Sequence, residues 1–190
     1  MRPAFVRTFT VLALSSTAIA QSAVTPLQLM RAAQAHAKAH GGQYRPVLSP
    51  MDSPASGVTP QDIAQVRAAG FRVVVWTVDD AARQQQLFDS GVDGIISDRP
   101  DLLRSLVERN RTARGNLLDG DGLLQVNKFD AQGHRGGRDL RPESTFPAFE
   151  VALDNLVTTL ETDVGITRDG VAVLSHERHV NWETCRDVVD

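Results

Sequence analysis

Residues 71–78 read FRVVVWTV, a nearly unbroken apolar, β-branched run. Such a run suits a strand buried on both faces of a parallel sheet, because a half-exposed strand alternates apolar and polar positions instead. Its flanks narrow the fold further. Thr59-Pro60-Gln61-Asp62 sets out an N-cap, a proline at the first helical position and an acid in the first turn. Ile63 and Val66 supply an apolar face, and Gly70 ends the helix. After the run, residues 81–90 read as a helix with Leu87 and Phe88 inward, closed by Gly91. Residues 92–97 form a second short strand, and Asp98-Arg99-Pro100 opens a third helix through Leu102, Leu103, Leu106 and Val107. Helix and strand alternating through tight turns predicts parallel α/β architecture.

Upstream, Leu27, Leu29, Met30 and Ala33 predict a helix over residues 24–40 that ends at Gly41-Gly42, and the prolines and serines of residues 45–57 predict a loop. His36 and His40 share a helical face, but no acid accompanies them, so they read as a solvated face rather than a ligand pair. Residues 1–20 read as a secretory leader: Arg2 and Arg7 precede an apolar run from Phe9 through Leu14, and Ala18-Ile19-Ala20 offers a cleavage site before Gln21. The run is too short and too rich in Ser and Thr to anchor in a bilayer. The mature chain is therefore expected to be exported, periplasmic or secreted, without stable membrane insertion. A net charge of −3 over 190 residues lacks the basic surplus of a nucleic-acid binder. The single cysteine, Cys185, excludes an intrachain disulfide and a Cys-based zinc site.

Residues 109–122 break the alternation. Asn110, Gly115, Asn116 and Asp119-Gly120-Asp121-Gly122 make a polar connection that lacks the spaced acids and terminal glutamate of an EF-hand loop. The expected organisation is a leader at 1–20, a first block at 21–109, a linker at 110–122 and a second block at 123–190. In the second block, residues 126–131 predict a strand running into His134. Thr145 caps a helix whose Phe146, Phe149, Leu153 and Leu156 fall at helical spacing. Residues 157–164 return to strand, and Asp169-Gly170 marks a hairpin turn before residues 171–174.

The chemistry-bearing residues lie in this second block. Glu161 and Asp163 are two apart on a predicted strand and so share a face. Paired carboxylates are costly unless a cation or proton sits between them, and oxygen-only donors favour Mg²⁺ or Ca²⁺. His134 follows a strand and is succeeded by Arg135 and two glycines, which would let the backbone pass close to a ligand. Arg135 offers a planar fork suited to phosphate oxygens. His176 stands at the end of another strand, and two histidines at strand ends can serve as general base and general acid.

His134-Arg135-Gly136, Pro142-Glu143-Ser144-Thr145, Glu161-x-Asp163 and Ser175-His176 resemble the opening of the glycerophosphodiester phosphodiesterase family. Ser144 and Glu177 stand where that family usually has Asn and Asp. Trp76-Thr77-Val78-Asp79-Asp80 and residues 91–101 resemble the end of the same domain, so the end precedes the beginning. The family's middle, with a further glutamate ligand and a lysine, has no match. The resemblance implies a TIM-barrel-like α/β fold present as an incomplete or rearranged arc. It also implies metal-dependent hydrolysis of a small glycerophosphodiester to sn-glycerol 3-phosphate and an alcohol. By the same resemblance His134 and His176 are the acid/base pair, Arg135 holds the phosphate and Trp76 lines the substrate pocket. Glu161 and Asp163 bind Ca²⁺ or Mg²⁺, with Glu143 close by. Two alternatives stand beside this: a histidine-dependent phospholipase or lyase forming a cyclic phosphate, and a non-catalytic barrel segment. An open arc leaves two strand edges available for self-association, and alone it is expected to be at best a poor catalyst.

Overall fold

The computed structural model describes residues 24–54 and 58–179. The expected leader at 1–20 and Cys185 lie outside them. In chain order the elements are α1 (Pro26–Ala39), β1 (Val47–Leu48), α2 (Pro60–Ala68), β2 (Arg72–Val75), α3 (Ala81–Asp89), β3 (Gly94–Ser97), α4 (Pro100–Arg109), β4 (Asp130–Gly133), α5 (Phe146–Asp154), β5 (Thr159–Leu160), β6 (Val164–Ile166) and β7 (Ala172–Leu174). Strands β1 to β5 form one sheet in chain order, every neighbour parallel, and β6 and β7 form a separate antiparallel hairpin. This is the expected α/β arc. Among the described residues it does not close into a barrel.

Local chemistry accounts for the element ends. Thr25 and Thr59 each close a capping box at their helices, with Gln28 and Asp62 respectively, and Pro26 and Pro60 occupy the first helical positions. Asp80 caps α3 through the N–H of Arg83. The apolar run yields a strand of four residues, Arg72–Val75, shorter than expected. Two-residue β1 sits inside the stretch expected to be loop, and beyond Pro50 the parallel pairing continues only as a bridge from Met51 to Trp76.

The sheet's helix-facing side and the helices make the core: Val73, Val75, Ile95 and Ala131 pack with Ile63, Val66, Leu87, Phe88, Leu103, Leu106 and Val107. The connection expected as a linker is packed against this core. Leu117 is fully buried, and Arg114 donates to the carbonyls of Val92 and Phe88 at 2.8 Å each while its guanidinium lies 4.1 Å above the Phe88 ring. The two blocks meet in one sheet, through four paired residues of β3 and β4.

Helix α5 departs from its expected face. Phe146 is 83% exposed and Leu153 54% exposed, while Ala148 and Ala152 are buried. Close backbone approach is the reason. A Cβ at Gly136 would stand 2.6 Å from the carbonyl carbon of Ala148, and one at Gly133 would stand 3.0 Å from Cβ of Ala152. Only small residues allow that distance, so Phe146 and Leu153 turn outward while Phe149 and Leu156 stay half-buried.

Candidate active site

Three functional groups occupy equivalent places. Ser97 pairs with Gly133, and Gly133 with Leu160. The next residue on each strand is therefore Asp98, His134 and Glu161, side by side at the carboxyl ends of β3, β4 and β5. Carboxyl ends of parallel strands are where α/β folds place their sites. Backbone bonds extend the register past the strands: the N–H of His134 donates to Ser97 at 2.9 Å and that of Glu161 to Gly133 at 3.0 Å.

His134 is buried, and its Nδ1 lies 2.5 Å from Oδ1 of Asp98, while Nε2 faces Oε2 of Glu161 at 3.9 Å. Arg135 takes a left-handed backbone (φ 49°). Its N–H donates to Glu161 at 3.2 Å, and its side chain, 9% exposed, turns into the cluster. There Nη1 donates to both oxygens of Glu143 at 3.0 Å, and Nε lies 3.2 Å from Oδ2 of Asp163. Arg138, half-exposed, donates from Nε to Glu143 at 3.0 Å and stands 3.8 Å from Asp98. The glycines after Arg135 serve packing: Gly136 passes against α5, as above, and a Cβ at Gly137 would meet Val151 at 2.8 Å. Ser144 adopts φ 57° and donates its N–H to the carbonyl of Arg135 at 2.9 Å. Asparagine tolerates that left-handed conformation better than serine does.

Glu161 and Asp163 do reach one place, although the strand expected to carry both ends at Leu160. Oδ2 of Asp163 and Nε of Arg135 are buried and neither makes an aligned hydrogen bond. Among the described residues, the four carboxylates of Asp98, Glu143, Glu161 and Asp163 are met by two guanidinium groups, those of Arg135 and Arg138. An oxygen-only donor set with surplus negative charge fits a hard divalent cation in chemical type. Among the described residues no group of three or more His, Cys, Asp or Glu side chains is gathered as a metal centre. Glu143 is occupied by the two arginines.

His176 and Trp76 stand apart from this cluster. His176 follows β7, its side chain 46% exposed, with Nδ1 2.8 Å from Oε1 of the adjacent Glu177. Its neighbour Ser175 donates its N–H to the carbonyl of Asp163 at 3.1 Å, which ties the hairpin's base to the cluster. Trp76 follows β2 and donates from Nε1 to the carbonyl of Ser49 at 3.0 Å, closing the β1 edge.

Asp98 is the functional candidate that sequence reasoning missed. In the sequence it opens a helix before Arg99-Pro100 and lies within residues 91–101, which resemble the family's end, but neither reading gives it a role; α4 takes Arg99 as its N-cap, with no side-chain cap bond. The signal that could have found it is its place one residue beyond a buried strand, equivalent to that of His134.

A sequence model of the glycerophosphoryl diester phosphodiesterase family matches residues 2–102 and 134–189. The chain belongs to that family. The matched stretches hold every residue of the cluster and omit residues 103–133, which contain the polar connection. The family's fold is TIM-barrel-like, in keeping with the parallel arc. Among curated proteins, the chain is 46% identical over 50 residues to a probable glycerophosphodiester phosphodiesterase 2 of Mycobacterium tuberculosis, covering 26% of this chain and 19% of that protein. It is 40% identical to glycerophosphodiester phosphodiesterase 1 of Rattus norvegicus and 38% identical to that of Homo sapiens, each over 62 residues, 33% of this chain and 19% of the relative. The chain thus aligns with about a fifth of the length of these relatives. No solved structure matches.

Proposed function

We propose that the cluster at the carboxyl ends of β3, β4 and β5 hydrolyses a glycerophosphodiester to sn-glycerol 3-phosphate and an alcohol, with help from a divalent cation. The observation that carries this reading is the placement of His134 between Asp98 and Glu161, with the Arg135 guanidinium turned in beside them. His134 moves a proton at Nε2, as base toward attacking water or as acid toward the leaving alkoxide. Arg135 spends Nη1 on Glu143 and points Nε at Asp163. No described residue accepts from its Nη2, which is left for a phosphate oxygen. Glu143, placed near the metal by resemblance, here takes the role of holding Arg135. Glu161 and Asp163 would hold Ca²⁺ or Mg²⁺, and a bound cation supplies Lewis-acid stabilisation of charge on the phosphoryl oxygens. His176 is the second acid/base group of this reading, on the hairpin tied to Asp163.

Export of the chain and self-association through the β1 and β5 edges belong to the same proposal. The test is to incubate the purified chain with glycerophosphocholine and Mg²⁺ or Ca²⁺ and follow products by ³¹P NMR. Linear glycerol phosphate supports hydrolysis, a persistent cyclic phosphate supports the lyase alternative, and unchanged substrate supports a non-catalytic segment.

A further inference from the structure

We infer that Asp98 is a positioning residue for His134, fixing the ring as its Nδ1–H tautomer so that Nε2 is left bare on the side of Glu161. This rests on the proposed acid/base role of His134, but its structural half stands on geometry alone. A separation of 2.5 Å between Nδ1 of His134 and Oδ1 of Asp98 requires a shared proton, and an ionised carboxylate only accepts. The proton therefore belongs to Nδ1 and leaves Nε2 bare in the neutral ring.

Asp98 is itself held. Its backbone N–H donates to Oδ1 of Asp79 at 2.7 Å, and the same oxygen accepts from Oγ of Ser97 at 2.8 Å. Ser97 in turn accepts from Nε2 of fully buried Gln84 at 3.2 Å, and that amide also donates to the carbonyl of Val78 at 2.9 Å. On the other side, the N–H of Asp139 donates to the Asp98 carbonyl at 3.2 Å. Gln84, Ser97 and Asp79 thus tie α3, β3 and the loop after β2 to one point. That point sets the Asp98 carboxylate beside the ring. The register of β3 against β4 does the rest, since Ser97 opposite Gly133 puts residues 98 and 134 level.

Asp98→Asn inverts the arrangement without changing shape. Arg138 offers only donors and stands 3.8 Å from Oδ2, so the amide oxygen turns to it and the NH₂ turns to His134. A donor facing Nδ1 forces the proton onto Nε2. The experiment is long-range ¹H–¹⁵N correlation of the His134 ring in the full chain, recorded above the ordinary imidazole range and assigned with His134→Gln, alongside steady-state kinetics on glycerophosphocholine. The native ring is expected as Nδ1–H and the Asn variant as Nε2–H, with kcat lowered by about 10²- to 10⁴-fold, the share a positioned acid/base group contributes, and KM nearly unchanged. A native ring protonated at Nε2 overturns the inference, whatever the activity. So does an Asn variant that folds, by circular dichroism, and keeps the native tautomer and kcat. If the tautomer switches as expected while neither protein hydrolyses the diester, the Asp98 assignment holds and the proposed function fails.

Discussion

Replacing Gly136 by alanine tests how the sequence builds this site. Gly136 has φ 89°, and a Cβ there would stand 2.6 Å from the carbonyl carbon of Ala148, 2.7 Å from its oxygen and 2.8 Å from its Cβ. The left-handed backbone alone costs an L-residue about 1–2 kcal/mol. Two of the three opposing atoms are backbone of α5, which can yield only if the helix moves, and overpacking of that kind adds about 1–3 kcal/mol. The expected loss is about 2–5 kcal/mol, a large share of a domain's usual stability. Gly41 is the matched control: it has φ 77° with nothing within 4 Å of an added Cβ, so Gly41→Ala carries the backbone cost alone. Urea unfolding of both variants, followed by circular dichroism, gives the difference. If Gly136→Ala costs no more than Gly41→Ala, the close approach of α5 does not constrain the His134-Arg135 turn as described.

Arg114→Ala strips the donor from the carbonyls of Val92, Phe88 and Lys128 and should cost about 2–4 kcal/mol in a urea titration, with Arg114→Lys recovering little because it lacks the fork. Burial raises the pKa of Asp79 above 3.8, although bonds from Ser97 and the Asp98 N–H oppose it. A raised acid contributes stability that is fully present below its unfolded value and lost as pH rises through the folded one. Asp79→Asn should therefore melt higher than the native chain at neutral pH, and the gap should close on acidification toward pH 3.8. If Glu161 and Asp163 hold a cation, the native melting temperature should rise with Mg²⁺ or Ca²⁺, by an amount that grows with concentration over the dissociation constant. Glu161→Gln with Asp163→Asn should abolish that rise.

Much of the arc was legible because its signals are local. Thr59 with Pro60 and Asp62, the apolar run from Phe71, and Gly70 and Gly91 at helix ends each act within a few residues, and the elements formed where they indicated. The face of α5 was not legible. Phe146 and Leu153 carry the apolar spacing, but Gly133 and Gly136, distant in sequence, decide that Ala148 and Ala152 pack. The same holds for the site. His134, Arg135, Glu143, Glu161 and Asp163 could be chosen by type, and they do gather. The partner of His134 could not be chosen that way, because Asp98 is brought to it by strand register across the polar connection. Nor could spacing reveal that Arg135 would lie between Glu143 and Asp163, since a guanidinium finds carboxylates in space rather than in sequence.

His134 and its neighbours are proposed to carry phosphodiester chemistry in this chain. The most direct measurement is glycerol phosphate release from glycerophosphocholine at near-stoichiometric enzyme, with Mg²⁺ or Ca²⁺ present or chelated, for the native chain and His134→Ala. Slow, cation-dependent release that His134→Ala abolishes is the predicted result. Release that survives His134→Ala, or none from the folded native chain with either cation, would contradict it.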